Sequence, residues 1–255
     1  SFTRLLQRLD VAVQGERRFI ADAAHELRTP LAALQAQAEL ALRADDPSRS
    51  REALARQMAV IERSARLDEQ LRDQARLDAG DANARMRRVA LYECVEVVVR
   101  DFEAMAQHKR QRIQLELDGG ELQGDVDALG ILIRNLVDNA LRYTAAGGRV
   151  QVRCGQAGAE LLLHVADDGP GVPPDEHERI FDRFYRVAGN GERGSGVGLS
   201  LVARIAQLHG ARIDVGEGID GRGFGITLRF RAAEEAVAHA VAAVGGDVVP
   251  RPARA

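Results

Sequence analysis

A histidine and a glutamate stand side by side near the start of the chain, at His25 and Glu26, and Thr29 follows one helical turn later on the same outward face. A neutral imidazole is a competent nitrogen nucleophile near pH 7. The neighbouring carboxylate can accept its proton as the nitrogen attacks a phosphorus centre. Pro30 crowds the carbonyl of Glu26, which predicts a bend beside the histidine. These residues predict a nucleophilic histidine, and the alternative is a surface histidine without chemistry.

Two carboxamides, Asn135 and Asn139, are four residues apart and therefore share one face of a helix. Neutral oxygens suit a Mg²⁺ ion that keeps several waters while bridging phosphates. Arg142 and Tyr143 follow, with a guanidinium that can pair with phosphate and a flat ring for a base. Taken alone, the repeated asparagines are also typical of a purely structural helix.

Two glycine-containing segments complete the candidate chemistry. The run 167–171, Asp-Asp-Gly-Pro-Gly, follows a strand-like stretch, and its first carboxylate can accept a hydrogen bond from the exocyclic amine of adenine. The run 194–199, Gly-Ser-Gly-Val-Gly-Leu, precedes a helical pattern and can present backbone N–H groups to phosphates. It is not a P-loop. Each run, taken alone, can equally be a tight turn.

The first third of the chain predicts two long helices that must position the histidine. An apolar heptad seam comprises Ile20, Ala24, Leu27, Leu31, Leu34, Ala38 and Ala41. Residues 45–48 predict a turn, and a second helix over 49–79 continues the period at Leu54, Met58, Ile61 and Ala65. A lone hairpin would leave one apolar stripe uncovered, so a symmetric dimer that closes a four-helix bundle is expected.

The remainder alternates between helical and strand-like patterns. Helices are predicted over 91–107, 125–142 and 198–208, and strands over 113–117, 150–154, 161–166, 211–215 and 225–230. This order is typical of a layered domain of sheet and helices. A net charge of −3 argues against a nucleic-acid partner held by bulk electrostatics.

These motifs also carry a family resemblance. The run 19–31 resembles the H box of sensor histidine kinases of two-component systems, and residues 1–18 are similar to the end of a HAMP signalling helix. The asparagine and two glycine-containing segments resemble the N, G1 and G2 boxes of the GHKL-type ATP-binding domain. Residues 181–186 resemble its F box, and Gly223-Phe224-Gly225 with Thr227 its final box.

The resemblance implies specific roles. His25 would be autophosphorylated with Glu26 as the assisting base, and Thr29 would help water attack a phosphorylated response regulator. Asn139 would be the main Mg²⁺ ligand. The implied ATP-binding residues are Asn135, Asn139, Arg142, Tyr143, Asp167, Gly169, Gly171, Phe184, Arg186, Gly194, Gly196, Gly198, Leu199 and Thr227.

The resemblance also implies an α+β fold in which an antiparallel helical hairpin precedes a two-layer α/β sandwich. We expect the HAMP-like end at 1–18, the dimerisation and phosphotransfer hairpin at 19–80 and a linker at 81–88. The ATP-binding domain is expected at 89–231 and a poorly ordered tail at 232–255.

The expected activity is that of an ATP-dependent protein histidine kinase, whose phosphoryl group passes to an aspartate of a response regulator, with a secondary phosphatase activity. The alternatives are a GHKL ATPase of the gyrase or mismatch-repair type, and a signalling scaffold that binds nucleotide without transfer. The upstream hairpin carrying His25 argues against the ATPase.

Asp68 and Arg72 depart from the family pattern, because they fall where the seam of the second helix should stay aliphatic. Either they pair at i, i+4, or this end of the bundle is splayed or solvent-exposed, or the surface of a fragment has been engineered. We expect them to weaken the homodimer. The chain begins at Ser1, and we expect a cytoplasmic fragment of a protein of the bacterial inner membrane whose membrane segments are missing.

Overall fold

The computed structural model describes residue 28 and residues 31–42, 46–79, 85–187 and 195–233. His25, Glu26, Thr29 and Gly194 lie outside these residues. The described residues form two compact units, one of residues up to 75 with 195–197 and the other of the remaining residues from 76 onward. Among the described helices, none has the length and hydropathy that crossing a membrane requires.

The first unit contains helix α1, residues 31–42, and helix α2, Pro47–Ala79. Asp46 precedes α2, and its carboxylate accepts hydrogen bonds from the backbone N–H of Ser48 at 2.9 Å and from the Ser48 hydroxyl at 2.6 Å. This side-chain cap satisfies a donor that the first turn of a helix leaves unpaired. Helix α2 therefore begins at Pro47, two residues earlier than predicted, after a capping aspartate.

Helix α2 buries a different stripe from the predicted one. The buried apolar residues are Ala53, Val60 and Leu67, which are spaced at heptad intervals. Leu54, Met58 and Ile61, which were predicted to form the seam, are instead 49%, 56% and 45% exposed. The heptad period of α2 was predicted correctly, but within one chain the face that is buried is not the predicted one. The larger apolar side chains are left on an uncovered stripe.

Asp68 and Arg72 lie on α2 in line with that uncovered stripe. Their side chains form an ion pair with each other, at i, i+4, and both are more than half exposed. The predicted i, i+4 pairing of these charges is therefore observed, at a solvent-exposed position of the single chain. An exposed pair of this kind contributes little to stability because water and salt screen it.

The second unit is an α/β domain. Its helices are α3, Leu91–His108, α4, Val126–Tyr143, and α5, Gly198–Leu208. Its strands are β1, Arg87–Ala90, β2, Arg112–Leu117, β3, Glu121–Gly124, β4, Arg149–Ala157, β5, Glu160–Asp167, β6, Arg212–Glu217, and β7, Phe224–Arg231. Five strands form a sheet in the order β2-β4-β5-β7-β6, and β1 pairs with β3. Only the β2–β4 pairing in the larger sheet is parallel.

The larger sheet has one apolar face and one charged face because side chains alternate along a strand. On β4, Val150, Val152 and Cys154 are buried in the core that includes residues of α3, α4 and α5. Arg153, between them on the other face, pairs with Glu116 of β2 at 2.8 Å. One layer of helices on one face of a sheet is the predicted two-layer architecture, which is confirmed.

Helices α4 and α5 are joined by a hydrogen-bonded chain. Asp125 caps α4 by accepting the backbone N–H groups of Asp127 and Ala128 at 2.9 and 3.2 Å. Its own N–H donates to Nε2 of His209 at 3.1 Å, while Nδ1 of His209 donates to the Ile205 carbonyl at 2.8 Å. Burial lowers the pKa of His209, which favours the neutral tautomer that can accept at Nε2. His209 is therefore a structural residue.

Three local features differ from the sequence prediction. Strand β1 begins at Arg87, inside the segment predicted as a linker, and β3 was not predicted. Both are four-residue strands, too short to establish an alternating pattern. Ala232 and Ala233, which were assigned to the tail, are buried, and Ala232 N–H donates to the Ala159 carbonyl at 3.0 Å. The rest of the predicted tail lies outside the described residues.

Candidate functional site

Asp167 is a buried carboxylate at the end of β5. Its residue is 5% exposed, and Oδ1 accepts backbone N–H groups from Gly169 at 2.8 Å and from Phe224 at 3.3 Å. Within the described residues no hydrogen bond reaches Oδ2. Burial raises the pKa of Asp167 to about 6 from 3.8, although the two backbone hydrogen bonds act to lower it. A ligand that donates a hydrogen bond to Oδ2 would stabilise the charged form.

Three positions in the backbone around Asp167 have no room for a side chain. A Cβ on Gly218 would lie 2.0 Å from the Asp167 carbonyl oxygen, and one on Gly223 would lie 2.1 Å from it. Gly223 also has a positive φ of 76°. On the other side, Gly169 packs against the Tyr143 carbonyl, where a Cβ would be 2.7 Å away. The glycines therefore allow three backbone segments to converge on one carboxylate.

Replacing Gly223 by alanine is expected to destabilise the protein by about 2–4 kcal/mol, because the left-handed backbone and the collision with Asp167 add together. Gly158 is the matched control, since it has a positive φ of 62° and no atom lies within 4 Å of the point that a Cβ would occupy. Gly158→Ala should cost only about 1 kcal/mol. Urea unfolding of both variants measures the difference, and equal losses would contradict the steric argument.

Helix α4 holds both predicted carboxamides, but in different environments. Asn135 is buried, and its Nδ2 donates to the Ile131 carbonyl at 2.8 Å. Asn139 is half-buried, and its carboxamide makes no hydrogen bond within the described residues. Across the same part of the chain, no three His, Cys, Asp or Glu side chains group in a way that could hold a metal ion. A carboxamide oxygen at Asn139 fits a Mg²⁺ that takes its other ligands from phosphates and water.

The C-terminal end of α4 is bound by two side chains of the segment that joins α3 to β2. Lys109 Nζ donates to the carbonyls of Leu141 and Arg142 at 3.1 and 3.3 Å, and Gln111 Nε2 donates to that of Leu141 at 2.9 Å. The guanidinium of Arg142 is itself paired with Asp138, one turn earlier, and both side chains are mostly buried. The Nη2 group of Arg142 is therefore already used by Asp138, and a phosphate would have to bind the other N–H groups of the guanidinium or displace Asp138.

The predicted F box is also ordered. Tyr185 donates from its hydroxyl to Glu176, and the guanidinium of Arg179 lies 4.2 Å from the centre of the Tyr185 ring. Phe184 is half-buried with a positive φ of 63°, and Arg186 is exposed. A phenylalanine in the left-handed region is uncommon and marks a constrained turn at this point.

The glycine-rich segment is divided between the two units. Gly198 is the first residue of α5, and Leu199 packs against the core of the second unit. Gly196 belongs to the first unit and has a positive φ of 73°. Ser195, in the same unit, donates from Oγ to Gln70 Oε1 of α2 at 2.6 Å. Leu199 thus has a packing role that the motif did not predict.

Thr227 requires a correction. Ile226 and Leu228, its neighbours on β7, face the core, so Thr227 lies on the opposite, charged face of the sheet. Its hydroxyl is 2.9 Å from Nδ1 of His164 on β5. The side chain of Asp167 shares the face of the core residues of β5. The structure therefore separates Thr227 from Asp167.

The contribution of the β6–β7 loop was largely missed. The backbone N–H of Phe224 and the glycines at 218 and 223 enclose Asp167, whereas only the second glycine had been assigned to a motif. The available signal was glycine density, because residues 216–225 contain five glycines. Asp167 thus offers a buried hydrogen-bond acceptor, and Asn139 offers a neutral carboxamide oxygen on the same unit.

Comparisons with known proteins match both units. Residues 16–80 match the family model of the His Kinase A (phospho-acceptor) domain. Residues 124–234 match that of the Histidine kinase-, DNA gyrase B-, and HSP90-like ATPase. The two matches follow each other in the order in which the predicted motifs occur.

Curated relatives and solved structures agree with the domain models. The chain is 40% identical over 226 residues to the sensor protein kinase PmrB of Pseudomonas aeruginosa, covering 88% of this chain and 47% of that protein. It is 40% identical over 224 residues to the sensor protein QseC of Escherichia coli O157:H7, covering 87% and 49%. The chain thus spans about half the length of these relatives. The histidine kinase ThkA, solved in complex with the response regulator protein TrrA, shares the fold, with a TM-score of 0.67, 20% identity and coverage of 89% and 64%.

Proposed function

Because the chain carries both domains of a sensor histidine kinase, it belongs to that family, and we propose that it transfers the γ-phosphoryl group of ATP to His25. The observation that carries the proposal is the buried Asp167, which keeps Oδ2 available beside the glycines at 169, 218 and 223. Adenine fits this site, since its exocyclic amine can donate to that oxygen. The ring of Tyr143 lies on the segment whose carbonyl packs against Gly169 and can flank the base.

The phosphate end of the site is assigned to α4. Asn139 would hold Mg²⁺, and Asn135 lies one turn before it on the same face of α4, with its Nδ2 bonded to the Ile131 carbonyl. The ion, when bound, would neutralise charge on the phosphates. Gly196 and Gly198 would contribute backbone N–H groups, and Phe184 and Arg186 would form the start of the segment over the nucleotide.

The chemical step is a displacement at phosphorus. A nitrogen of His25 attacks the γ-phosphorus, the bond from that phosphorus to the bridging oxygen breaks, and ADP leaves. Glu26 accepts the proton that the imidazole loses. In a second step the phosphoryl group passes from the imidazole to an aspartate oxygen of a response regulator. Thr29 would orient water in a secondary phosphatase reaction.

The partners follow from the exposed surface and from the relatives. Leu54, Met58 and Ile61 form an uncovered apolar stripe on α2, which a second copy of the chain would cover as a four-helix bundle. Asp68 and Arg72 extend this stripe with charge and would weaken the dimer at that end. A solved relative of the same fold is in complex with a response regulator protein. The proposal places this part of a longer sensor protein in the cytoplasm, beside the bacterial inner membrane.

The proposal is tested by incubating the protein with γ-labelled ATP and Mg²⁺ and measuring the stability of protein-bound label. A phosphohistidine keeps its label in alkali and loses it in acid. A GHKL ATPase would release labelled phosphate without labelling the protein, and a nucleotide-binding scaffold would do neither. Either of these results would contradict the proposal.

Asn139→Ala is expected to remove most of the Mg²⁺ dependence of ATP binding. With Mg²⁺ the affinity should fall at least about tenfold, because losing even an outer partner of a metal site costs about that much. With a chelator in place of Mg²⁺, the variant and the parent should bind alike. Calorimetric titration under both conditions measures this, and an equal loss with and without the ion would contradict the assignment of Asn139.

A further inference from the structure

The β6–β7 loop, residues 218–223, forms one wall around Asp167. The loop is close enough that Gly218 and Gly223 touch the Asp167 carbonyl, and the next residue, Phe224, donates its N–H to Oδ1. The position of this loop therefore determines the shape of the site at the carboxylate.

The loop contains a strained residue. Asp220 has φ 56° and ψ 35°, in the left-handed region, and its side chain is 73% exposed. A non-glycine residue in this region costs free energy, so a contact elsewhere must help to keep the loop in this conformation. The carboxylate of Asp220 makes such a contact, with Arg149 Nη2 at 2.8 Å.

Arg149, the first residue of β4, joins this loop to the loop that follows β5. Its Nε lies 3.4 Å from Asp168 Oδ2, and its backbone N–H donates to Asp168 Oδ1 at 2.8 Å. The backbone N–H of Asp168 returns a bond to the Arg149 carbonyl at 3.2 Å. One guanidinium thus connects the neighbour of Asp167 on one side and the β6–β7 loop on the other.

We infer that Arg149 is a positioning residue for adenine recognition, because it holds the β6–β7 loop and the Asp167–Asp168 segment in register around the base. This inference rests on the proposed function. Arg149 acts through Asp220 and Asp168 and not through the nucleotide. Its loss should therefore affect the base-binding end of the site and leave the phosphate-binding end on α4 unchanged.

The test is the affinity of the parent and of Arg149→Gln for ATP and for GTP, measured by calorimetry on the full chain. Guanine presents an acceptor oxygen where adenine presents its amine, so the ATP-to-GTP ratio reports the base-binding end. We expect Arg149→Gln to lower the ATP affinity about three- to fivefold and to lower the ATP-to-GTP ratio by the same factor. The effect is small because exposed ion pairs are individually weak. Thermal unfolding of the variant should match that of the parent.

Arg153→Gln is the matched control, because Arg153 lies on the same strand and face and pairs with Glu116 in a comparably exposed position. It should leave both affinities unchanged. Asp220→Asn, which tolerates the left-handed backbone, should reproduce the effect of Arg149→Gln, and the double variant should lose no more than either single one. The losses of ATP affinity in Arg149→Gln and in Asp220→Asn should become smaller at high salt, because salt screens the ion pair in the parent.

Unchanged affinity and selectivity in Arg149→Gln would overturn the inference while leaving the proposed function intact. An equal effect of Arg153→Gln would also overturn it, since the cause would then be the charge of the whole sheet face. If the parent itself bound no ATP, the proposed function would fail and this inference with it.

Discussion

His25→Gln is expected to abolish labelling of the protein by γ-labelled ATP, with a loss of at least about 10³-fold, because glutamine has no nucleophilic nitrogen to replace the imidazole. ATP binding should be unchanged, since His25 is assigned as the phosphoryl acceptor and is not among the residues assigned to the nucleotide site. The measurement is the rate of label incorporation together with calorimetric titration of ATP. Loss of both would indicate misfolding and not loss of the acceptor.

His108→Gln is the matched control for that variant. His108 is an exposed histidine at the end of α3, and it lies outside every motif of the proposed site. Labelling should remain at the level of the parent. If His25→Gln kept its label while His108→Gln lost it, the acceptor would have been assigned to the wrong residue.

Asp167→Asn is expected to change stability and binding in opposite directions. A pKa of about 6 against 3.8 corresponds to about 3 kcal/mol of unfavourable free energy for the charged carboxylate at neutral pH. Asparagine keeps an acceptor for the N–H groups of Gly169 and Phe224 without the charge, so the ligand-free protein should gain about 1–3 kcal/mol. ATP affinity should fall about 10²-fold, because an amide N–H₂ would face the amine of adenine.

The pH dependence of the parent provides a second test of Asp167. Because folding raises the pKa of this group, protonation stabilises the folded protein, fully below pH 3.8 and progressively less as the pH rises through about 6. ATP binding needs the carboxylate, so affinity should fall about tenfold for each pH unit below 6. The contribution of Asp167 to both dependences should be absent in Asp167→Asn. Asp168→Asn is the matched control and should not raise the melting temperature. A rise equal to that of Asp167→Asn would contradict the role assigned to the Asp167 carboxylate.

The large elements could be predicted because their patterns are long. The periodicity over 125–142 identified α4 almost to the residue, and the capping carboxylate of Asp125 supports its start. The order of helices and strands gave the two-layer architecture, and the family resemblance drawn from the motifs is confirmed. Long periodic segments were enough to predict the architecture, and the run of motifs was enough to identify the family.

Other features depend on contacts that no local pattern encodes. The phase of the buried stripe on α2 is determined by which face meets the rest of its unit, so Ala53 is buried there and the predicted Leu54 is exposed. Thr227 was assigned to the site because residues 223–227 resemble the final box of the family, but strand alternation directs it to the opposite face.

The pairing of Arg142 with Asp138 shows the same limit on a helix. Either residue can project toward a ligand or toward its i+4 neighbour, and only the packed structure decides between them. The role of Arg149 could not be predicted from the sequence, because its partners Asp168 and Asp220 are 19 and 71 residues away in the chain. Long-range ion pairs leave no periodic signal.

The most direct test of phosphoryl transfer to His25 is to map the modified residue after incubation with Mg-ATP. Trypsin releases residues 19–28 as one peptide, which contains a single histidine and no serine, threonine or tyrosine. We predict an alkali-stable phosphoryl group on this peptide, at His25. Phosphate recovered on any other peptide, or an alkali-labile phosphate on this one, would contradict the account.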